Sequence, residues 1–214
     1  AKGGISVDYP SLSLQEKERL TKRYALVLRD AIGTNKDVPA PDVNTGEREM
    51  AWMMDAWRMI HGEYARGVVT GKPISLGGSA GRREATGRGV VFCIEQAAAD
   101  LGLELAGATV AVQGYGNVGG TAGRLLAELG AKVVAVSDVT AAVYHPEGLD
   151  AAAADANVRA GRPLVEMGEC ERIGRDDLLS LDVDILVPAA LENAITEENA
   201  HRVRARLIAE GANG

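Results

Sequence analysis

Aromatic residues are scarce in this sequence: one Phe, two Trp and five Tyr among 214 residues. Its packing must therefore rest on Ala, Val and Leu. Cysteine is nearly absent as well, since Cys93 and Cys170 stand far apart with no CxxC pair, and this reads as a reduced, cytoplasmic chain. His61, His145 and His201 are isolated from one another and from both cysteines, with no HExxH, so no metal is expected. The longest apolar runs, residues 90–94 and 183–191, fall far short of the roughly 20 residues a bilayer crossing needs, which excludes a transmembrane role. The start, Ala1-Lys2-Gly3-Gly4, has no charge-then-apolar order of a signal peptide. Positive charge is in deficit, 23 Lys and Arg against 30 Asp and Glu for a net charge of −7. No basic block is present to track a phosphate backbone, so nucleic acid is not an expected partner.

What remains is a globular composition, 46% hydrophobic and 25% charged, with enough chain to bury a core without staples. The 26 glycines mark places where backbones or ligands approach closely. Ser13-Leu14-Gln15-Glu16 is a capping-box pattern, and Leu20, Tyr24, Val27 and Ala31 then form one helical stripe that stops at Gly33. Residues 37–45 hold Pro39 and Pro41 and must run extended. Residues 47–60 read as a second helix, with Met50, Met54, Trp57 and Ile60 near one face and Gly62 as its stop. Met53 and Trp52 join that core or interface stripe.

The glycine-rich passage at 67–89 is the expected domain boundary, dividing the chain into residues 1–76 and 77–214. An apolar helix through 90–101 follows, ended by Gly102 and holding Cys93 as a small core residue. Strand 109–113, helix 118–129 and strand 132–136 then make a βαβ unit. Residues 184–188 and 205–209 read as further parallel strands, separated by a helix that Thr196 caps, and the alanine-rich 151–156 as a solvent-side helix. The alternation implies an α/β fold with a doubly wound parallel sheet.

Gly114-Tyr115-Gly116-Asn117-Val118-Gly119 matches GxGxxG between that first strand and its helix. In this setting Gly114 permits the tight turn, Gly116 leaves room for a pyrophosphate, and Gly119 lets the helix pack on the strand. The helix start supplies N–H groups and a positive dipole end. A bland tight βα connection is the weaker reading. Asp138 stands 24 residues after Gly114, close to the acidic residue that binds a ribose 2′-OH, which slightly favours NAD over NADP. It equally starts a turn before Val139-Thr140, and Ser137 leaves room for a 2′-phosphate. On local pattern alone Lys2 reads as a solvated terminal charge. Asp42, between Pro41 and Val43, reads either as a positioned carboxylate or as a loop residue capping the next helix.

Together these motifs resemble the hexameric glutamate dehydrogenases of the Glu/Leu/Phe/Val dehydrogenase family. The resemblance rests on Lys2-Gly3-Gly4-Ile5, residues 37–45, residues 67–73, Gly77-Gly78-Ser79 with residues 85–89, the motif around Asn117, residues 188–193 and residues 209–214. It implies a partial substrate-binding domain over 1–76, a Rossmann-like dinucleotide-binding domain over 77–214 that is incomplete at its C-terminal end, and reversible oxidative deamination of L-glutamate to 2-oxoglutarate and ammonia with NAD or NADP. Lys2 would be the catalytic lysine and Asp42 the proton shuttle to the amino nitrogen. Thr70, Gly114, Gly116, Asn117, Val118, Gly119 and Asp138 would contact the cofactor, with Ala189, Asn193 and Asn213 near the nicotinamide. The family pattern further implies a homo-hexamer, and a chain truncated at both ends that is inactive in isolation. A leucine, phenylalanine or valine dehydrogenase and a non-catalytic nucleotide-binding subunit are the alternatives.

Overall fold

The computed structural model describes residues 3–168 and 170–212. The chain divides into two compact units, residues 1–83 and 84–214. In the first, Ser13 opens α1 (Leu14–Val27): the Glu16 amide donates to its Oγ at 3.3 Å, while its own amide donates to Glu16 Oε2 at 2.8 Å. α2 (Glu47–His61) ends on Gly62, whose φ of 72° supplies the left-handed cap. The two helices pack on each other and bury Ala25, Met50, Met53, Met54, Ala56 and Trp57, with Val68 and Val69 beneath them. Trp52, one turn from this stripe, stays half-buried. Among the described residues this unit holds helices and extended segments, with one isolated bridge between Ile32 and Asp37.

The second unit opens with α3 (Ala85–Leu101), which starts five residues before the apolar run and ends on Gly102 in the left-handed region. Next come β1 (Thr109–Gln113), α4 (Asn117–Glu128) and β2 (Lys132–Ser137), with β1 and β2 paired in parallel. β3 (Ala142–Tyr144), α5 (Ala151–Arg159), β4 (Glu171–Ile173) and α6 (Arg175–Leu178) follow, then β5 (Ile185–Pro188) and β6 (Leu207–Ile208). The six strands lie in the order β4-β3-β2-β1-β5-β6. β2, β1, β5 and β6 run parallel, whereas β3 and β4 join antiparallel at one edge. Val110, Val112, Val133 and Val187 face one core with Ile94 and Leu126; Ala111, Val134 and Leu186 face another with Leu178. Burial on both faces explains why these strands read as unbroken apolar runs.

Four local expectations need correction. α1 ends at Val27, capped by Leu28, and does not reach Gly33, and Val27 and Ala31 are exposed. Cys93 is exposed, because α3 turns Val91, Ile94 and Ala98 to the core and Cys93 lies off that stripe. No α-helix follows Thr196. The Asn199 side chain instead accepts from the Thr196 amide at 2.7 Å and donates to the Ala194 carbonyl at 2.9 Å, leaving only a short 3-10 turn over Ala200–Arg202. The alanine-rich α5 is not wholly on the solvent side, since Ala151, Ala154 and Asp155 are buried against the sheet unit.

Candidate functional site

β1 occupies the middle of its sheet, with the chain passing first to β2 on one side and only later to β5 on the other. The crevice beyond the carboxyl ends of β1 and β5 is therefore a topological switch point, where open α/β sheets bind ligands. Gly114 leaves β1 at φ 86°, and a Cβ there would come within 2.7 Å of the backbone nitrogen of Ala190. Its amide donates to Ser137 Oγ at 3.2 Å, and the next amide, of Tyr115, donates to the Ser137 carbonyl at 2.6 Å. Ser137 is buried at the end of β2 and so fixes the turn's exit. A Cβ on Gly119 would meet the Gly114 carbonyl oxygen and lie 2.9 Å from Val112 Cγ1, so α4 crosses β1 at glycine-only distance. A Cβ on Gly116 would meet nothing within 4 Å. That exposed opening, beside the exposed Asn117 and the positive end of α4, fits an approaching dinucleotide phosphate.

Tyr115, the residue between the first two glycines, is fully buried. Its hydroxyl donates to the Ala151 carbonyl at 3.1 Å, and its ring fills the space a Cβ on Gly123 would need. Burial, aided by the nearby Asp155 charge, pushes its phenol well above the ordinary range, so it acts as a neutral anchor.

The same crevice gathers residues 188–193. The Ala189 amide donates to the Gln113 carbonyl at 2.7 Å, which places Ala189 beside the glycine turn. Asn193, exposed and held at φ 59°, lines a small cavity of about 170 Å³ with Pro188, Ile195, Ile208 and Glu210. That volume is below the 300–1,000 Å³ of a complete ligand site. Gln113 Oε1, at the end of β1, is buried with no hydrogen-bond partner among the described residues. Past β6 the chain returns to this place: the Gly211 amide donates to the Pro188 carbonyl at 2.7 Å, and a Cβ on Gly211 would lie 2.9 Å from Val118 Cγ1. Asn213 lies outside the described residues, as does Lys2.

Asp138 closes a tight turn. Its Oδ1 accepts from the Thr140 hydroxyl (2.6 Å), the Thr140 amide (2.7 Å) and the Ala141 amide (3.0 Å), and its Oδ2 accepts from the Leu164 amide (3.3 Å). Burial opposes its ionisation, but these bonds outweigh it and hold the carboxyl below its usual range. One lobe of the carboxylate is thus spent on the turn, and a ribose hydroxyl could be met only from the Oδ2 side.

In the first unit two of the sequence motifs run side by side. The Thr70 amide donates to the Pro39 carbonyl at 2.9 Å, and Gly71, at φ 66°, takes a place where a Cβ would strike the Pro41 ring. Thr70 and Asp42 both expose their side chains. Asp42 sits on a turn closed by Thr45, whose Oγ1 accepts from the Asp42 amide at 2.7 Å and donates to the Asp42 carbonyl at 2.8 Å. Asn44 completes that turn at φ 62°. Asn44 and Asn193 are the non-glycine residues at positive φ among those described, and both fall in predicted site segments.

Tyr115 and the buried Glu49 also support these turns, and the sequence pattern marks neither as a site residue. Glu49 had a signal, since it stands three residues after Gly46, the capping-box distance, although glycine replaces the usual Ser or Thr.

Residues 77–214 match the profile of Glutamate/Leucine/Phenylalanine/Valine dehydrogenase, and residues 1–59 that of the Glu/Leu/Phe/Val dehydrogenase dimerisation domain. The chain is 49% identical over all its 214 residues to the NAD-specific glutamate dehydrogenase A of Halobacterium salinarum, covering 49% of that protein. It is 50% identical, again over its whole length, to the NADP-specific glutamate dehydrogenase A1 of the same organism, covering 51% of it. Among solved structures, the hetero-hexameric glutamate dehydrogenase of Thermus thermophilus in its Leu-bound form superposes with a TM-score of 0.91 at 40% identity, over 98% of this chain and 50% of that one. The chain thus spans about half the length of the relatives it matches.

Proposed function

Because the chain belongs to the Glutamate/Leucine/Phenylalanine/Valine dehydrogenase family, we propose that it is part of an NAD- or NADP-dependent glutamate dehydrogenase. The reaction is the reversible oxidative deamination of L-glutamate to 2-oxoglutarate and ammonia. The observation that carries this reading is the switch-point turn, in which Gly114 stands against Ala190, Gly119 lets α4 cross β1 at glycine-only distance, and Gly116 leaves the approach to the backbone open. When bound, the nicotinamide accepts or returns the substrate hydride.

The chain's own residues do the rest. Gly116, Asn117, Val118 and the start of α4 receive the phosphates, Asp138 borders the ribose, and Ala189, Asn193 and Asn213 orient the nicotinamide. Thr70 contributes from the first domain. Lys2 polarises the substrate carbonyl and Asp42 passes a proton to or from the amino nitrogen. Both need a fixed position more than an unusual environment, which the Pro39–Pro41 segment and the Thr45 turn provide for Asp42. We assign residues 1–76 to the substrate domain and 77–214 to the cofactor domain, with a hexamer as the assembly and the cytoplasm as its location. Among the described residues no helix is long and apolar enough to cross a membrane, and no group of His, Cys, Asp and Glu is placed to hold a metal. The hetero-hexameric Thermus relative favours one second reading, a subunit that pairs with a different chain of the same family.

The test is reduction of NAD and of NADP by the complete gene product with L-glutamate, beside leucine, phenylalanine and valine. Lys2→Ala and Asp42→Asn are expected to abolish turnover and keep cofactor binding. Cofactor binding with no oxidation of any of the four amino acids would overturn the enzymatic reading in favour of a nucleotide-binding subunit.

A further inference from the structure

The carboxyl end of the sheet extends well past the glycine turn. Gln113 pairs with Ser137, Ser137 with Ala142 and Ala142 with Ile173, so one row of residues runs along that end from β1 to β4. β3 runs against both its neighbours, and β4 therefore points the same way as β1 and β2. Its last residue, Ile173, emerges at the end of the sheet where Gly114 leaves β1, and Arg175 follows two residues later.

The Arg175 side chain reaches back across β3. Its Nη1 donates to the Val139 carbonyl at 3.3 Å. Val139 is the residue after Asp138, in the turn between β2 and β3, and is 89% exposed. Arg175 is exposed as well. Among the described residues no carboxylate pairs with its guanidinium, whereas Arg159, Arg202 and Arg206 of the same unit are each tied to an aspartate. A guanidinium is a planar fork of several N–H donors, so one bond to a carbonyl leaves most of the fork for an anion.

The turn beneath it is where a dinucleotide's ribose is read. A carboxylate with open oxygens at that place accepts from a 2′-hydroxyl and repels a 2′-phosphate. Asp138 is largely engaged: the Thr140 hydroxyl and amide, the Ala141 amide and the Leu164 amide give it four donors, three of them on Oδ1. Its negative charge is thus satisfied within the turn, and an unpaired positive charge is held one residue away.

We propose that Arg175 is a specificity-determining residue of the cofactor site, a cation that receives the 2′-phosphate of NADP at the Asp138 turn and lets this chain take NADP. This deepens the glutamate dehydrogenase reading and rests on it. NAD and NADP differ at that phosphate alone, so the effect of Arg175 is confined to it. The open side of Asp138 Oδ2 still receives the 2′-hydroxyl of NAD, and neighbouring residues of one turn read the two cofactors.

The test is calorimetric titration of the complete gene product with 2′,5′-ADP and with 5′-ADP, which differ only in the 2′-phosphate. Arg175→Gln is expected to weaken 2′,5′-ADP by about tenfold, the loss of one charge-assisted contact, and to leave 5′-ADP within about twofold. Arg175→Lys keeps the charge without the fork, and a loss of about threefold is expected. Added salt should weaken 2′,5′-ADP more steeply than 5′-ADP in the parent, and Arg175→Gln should remove that difference. In steady-state kinetics, kcat/KM for NADP should fall with the fragment affinity while kcat/KM for NAD holds. If Arg175→Gln leaves both fragments unaffected, weakens both alike, or changes only the melting temperature, the assignment is overturned and Arg175 is a strut of the turn. A parent that binds 5′-ADP but not 2′,5′-ADP overturns the assignment and leaves the dehydrogenase reading standing. A parent that binds neither fragment and oxidises no glutamate overturns both.

Discussion

Two turns carry the proposed chemistry, and they are built on opposite principles. The Gly114–Gly119 turn is set by exclusion: side chains are missing where β1, α4 and Ala190 leave no room, and the buried Tyr115 and Ser137 lock it from below. The Asp42–Thr45 turn is set by side-chain bonding: a Thr hydroxyl serves both sides of the turn at the surface, and Asn44 accepts a left-handed backbone that glycine would take more easily. The first cannot move without unpacking the sheet. The second is held by the Thr45 hydroxyl and, just upstream, by the Thr70 amide on the Pro39 carbonyl.

The contrast breaks first at Gly119. A methyl there meets the Gly114 carbonyl oxygen, so Gly119→Ala is expected to cost about 3 kcal/mol and to remove cofactor binding, as read by thermal melting and fluorescence titration with NADH. Wild-type-like melting would show that α4 can slide. Gly116→Ala sharpens the point within the same motif. With nothing near its Cβ, stability should stay within about 0.5 kcal/mol, while cofactor affinity falls about tenfold because the methyl occupies the approach to the backbone. Equal affinity in that variant would remove Gly116 from the site. Thr45→Ala loses two turn bonds on an exposed loop, and a melting shift equivalent to at most about 1 kcal/mol is expected. Its main effect should appear in kcat, with cofactor KM unchanged.

The smallest effect concerns pH. Asp184 accepts from the Thr109 amide at 2.9 Å and the Thr109 hydroxyl at 3.0 Å, with Arg206 at 3.2 Å, and these hold its carboxyl below the usual range. A lowered folded-state value means the stabilisation is present above the ordinary carboxylate range, near pH 4, and is lost as pH falls through the depressed one. Asp184→Asn should therefore lower stability at neutral pH and flatten its acid dependence, a change that melting curves between pH 3 and 7 resolve. An unchanged acid limb would reassign that dependence to other carboxylates.

Long apolar elements bounded by glycine were more legible in the sequence than short ones, for reasons visible in single residues. β1 and α2 fell where apolar runs and capping signals place them, because Gly62, Gly102 and Gly114 are local stops that act whatever surrounds them. The antiparallel β3 and β4 are three residues each, too short for an alternating pattern to register. The helix expected after Thr196 lost to Asn199, whose side chain bonds backwards to Ala194 and Thr196, a choice that helix propensity alone does not reveal. The bond from the Tyr9 hydroxyl to the buried Glu49 was unreadable because the two lie 40 residues apart, and only folding brings them together.

The strand order also has a consequence in time. β1 is the first strand made and the middle one in the sheet; β2 can cover one side after some 20 residues, but the other side waits for β5, and the bond that joins them, Thr109 to Asp184, spans 75 residues. At roughly 5–20 residues per second of synthesis, the edge of Val110 and Val112 stands open for roughly 4–15 seconds on the ribosome. During that interval the nascent chain offers an apolar, unpaired strand edge to any neighbour able to extend it. The central placement that creates the crevice thus also leaves an apolar strand edge unpaired until β5 has been made.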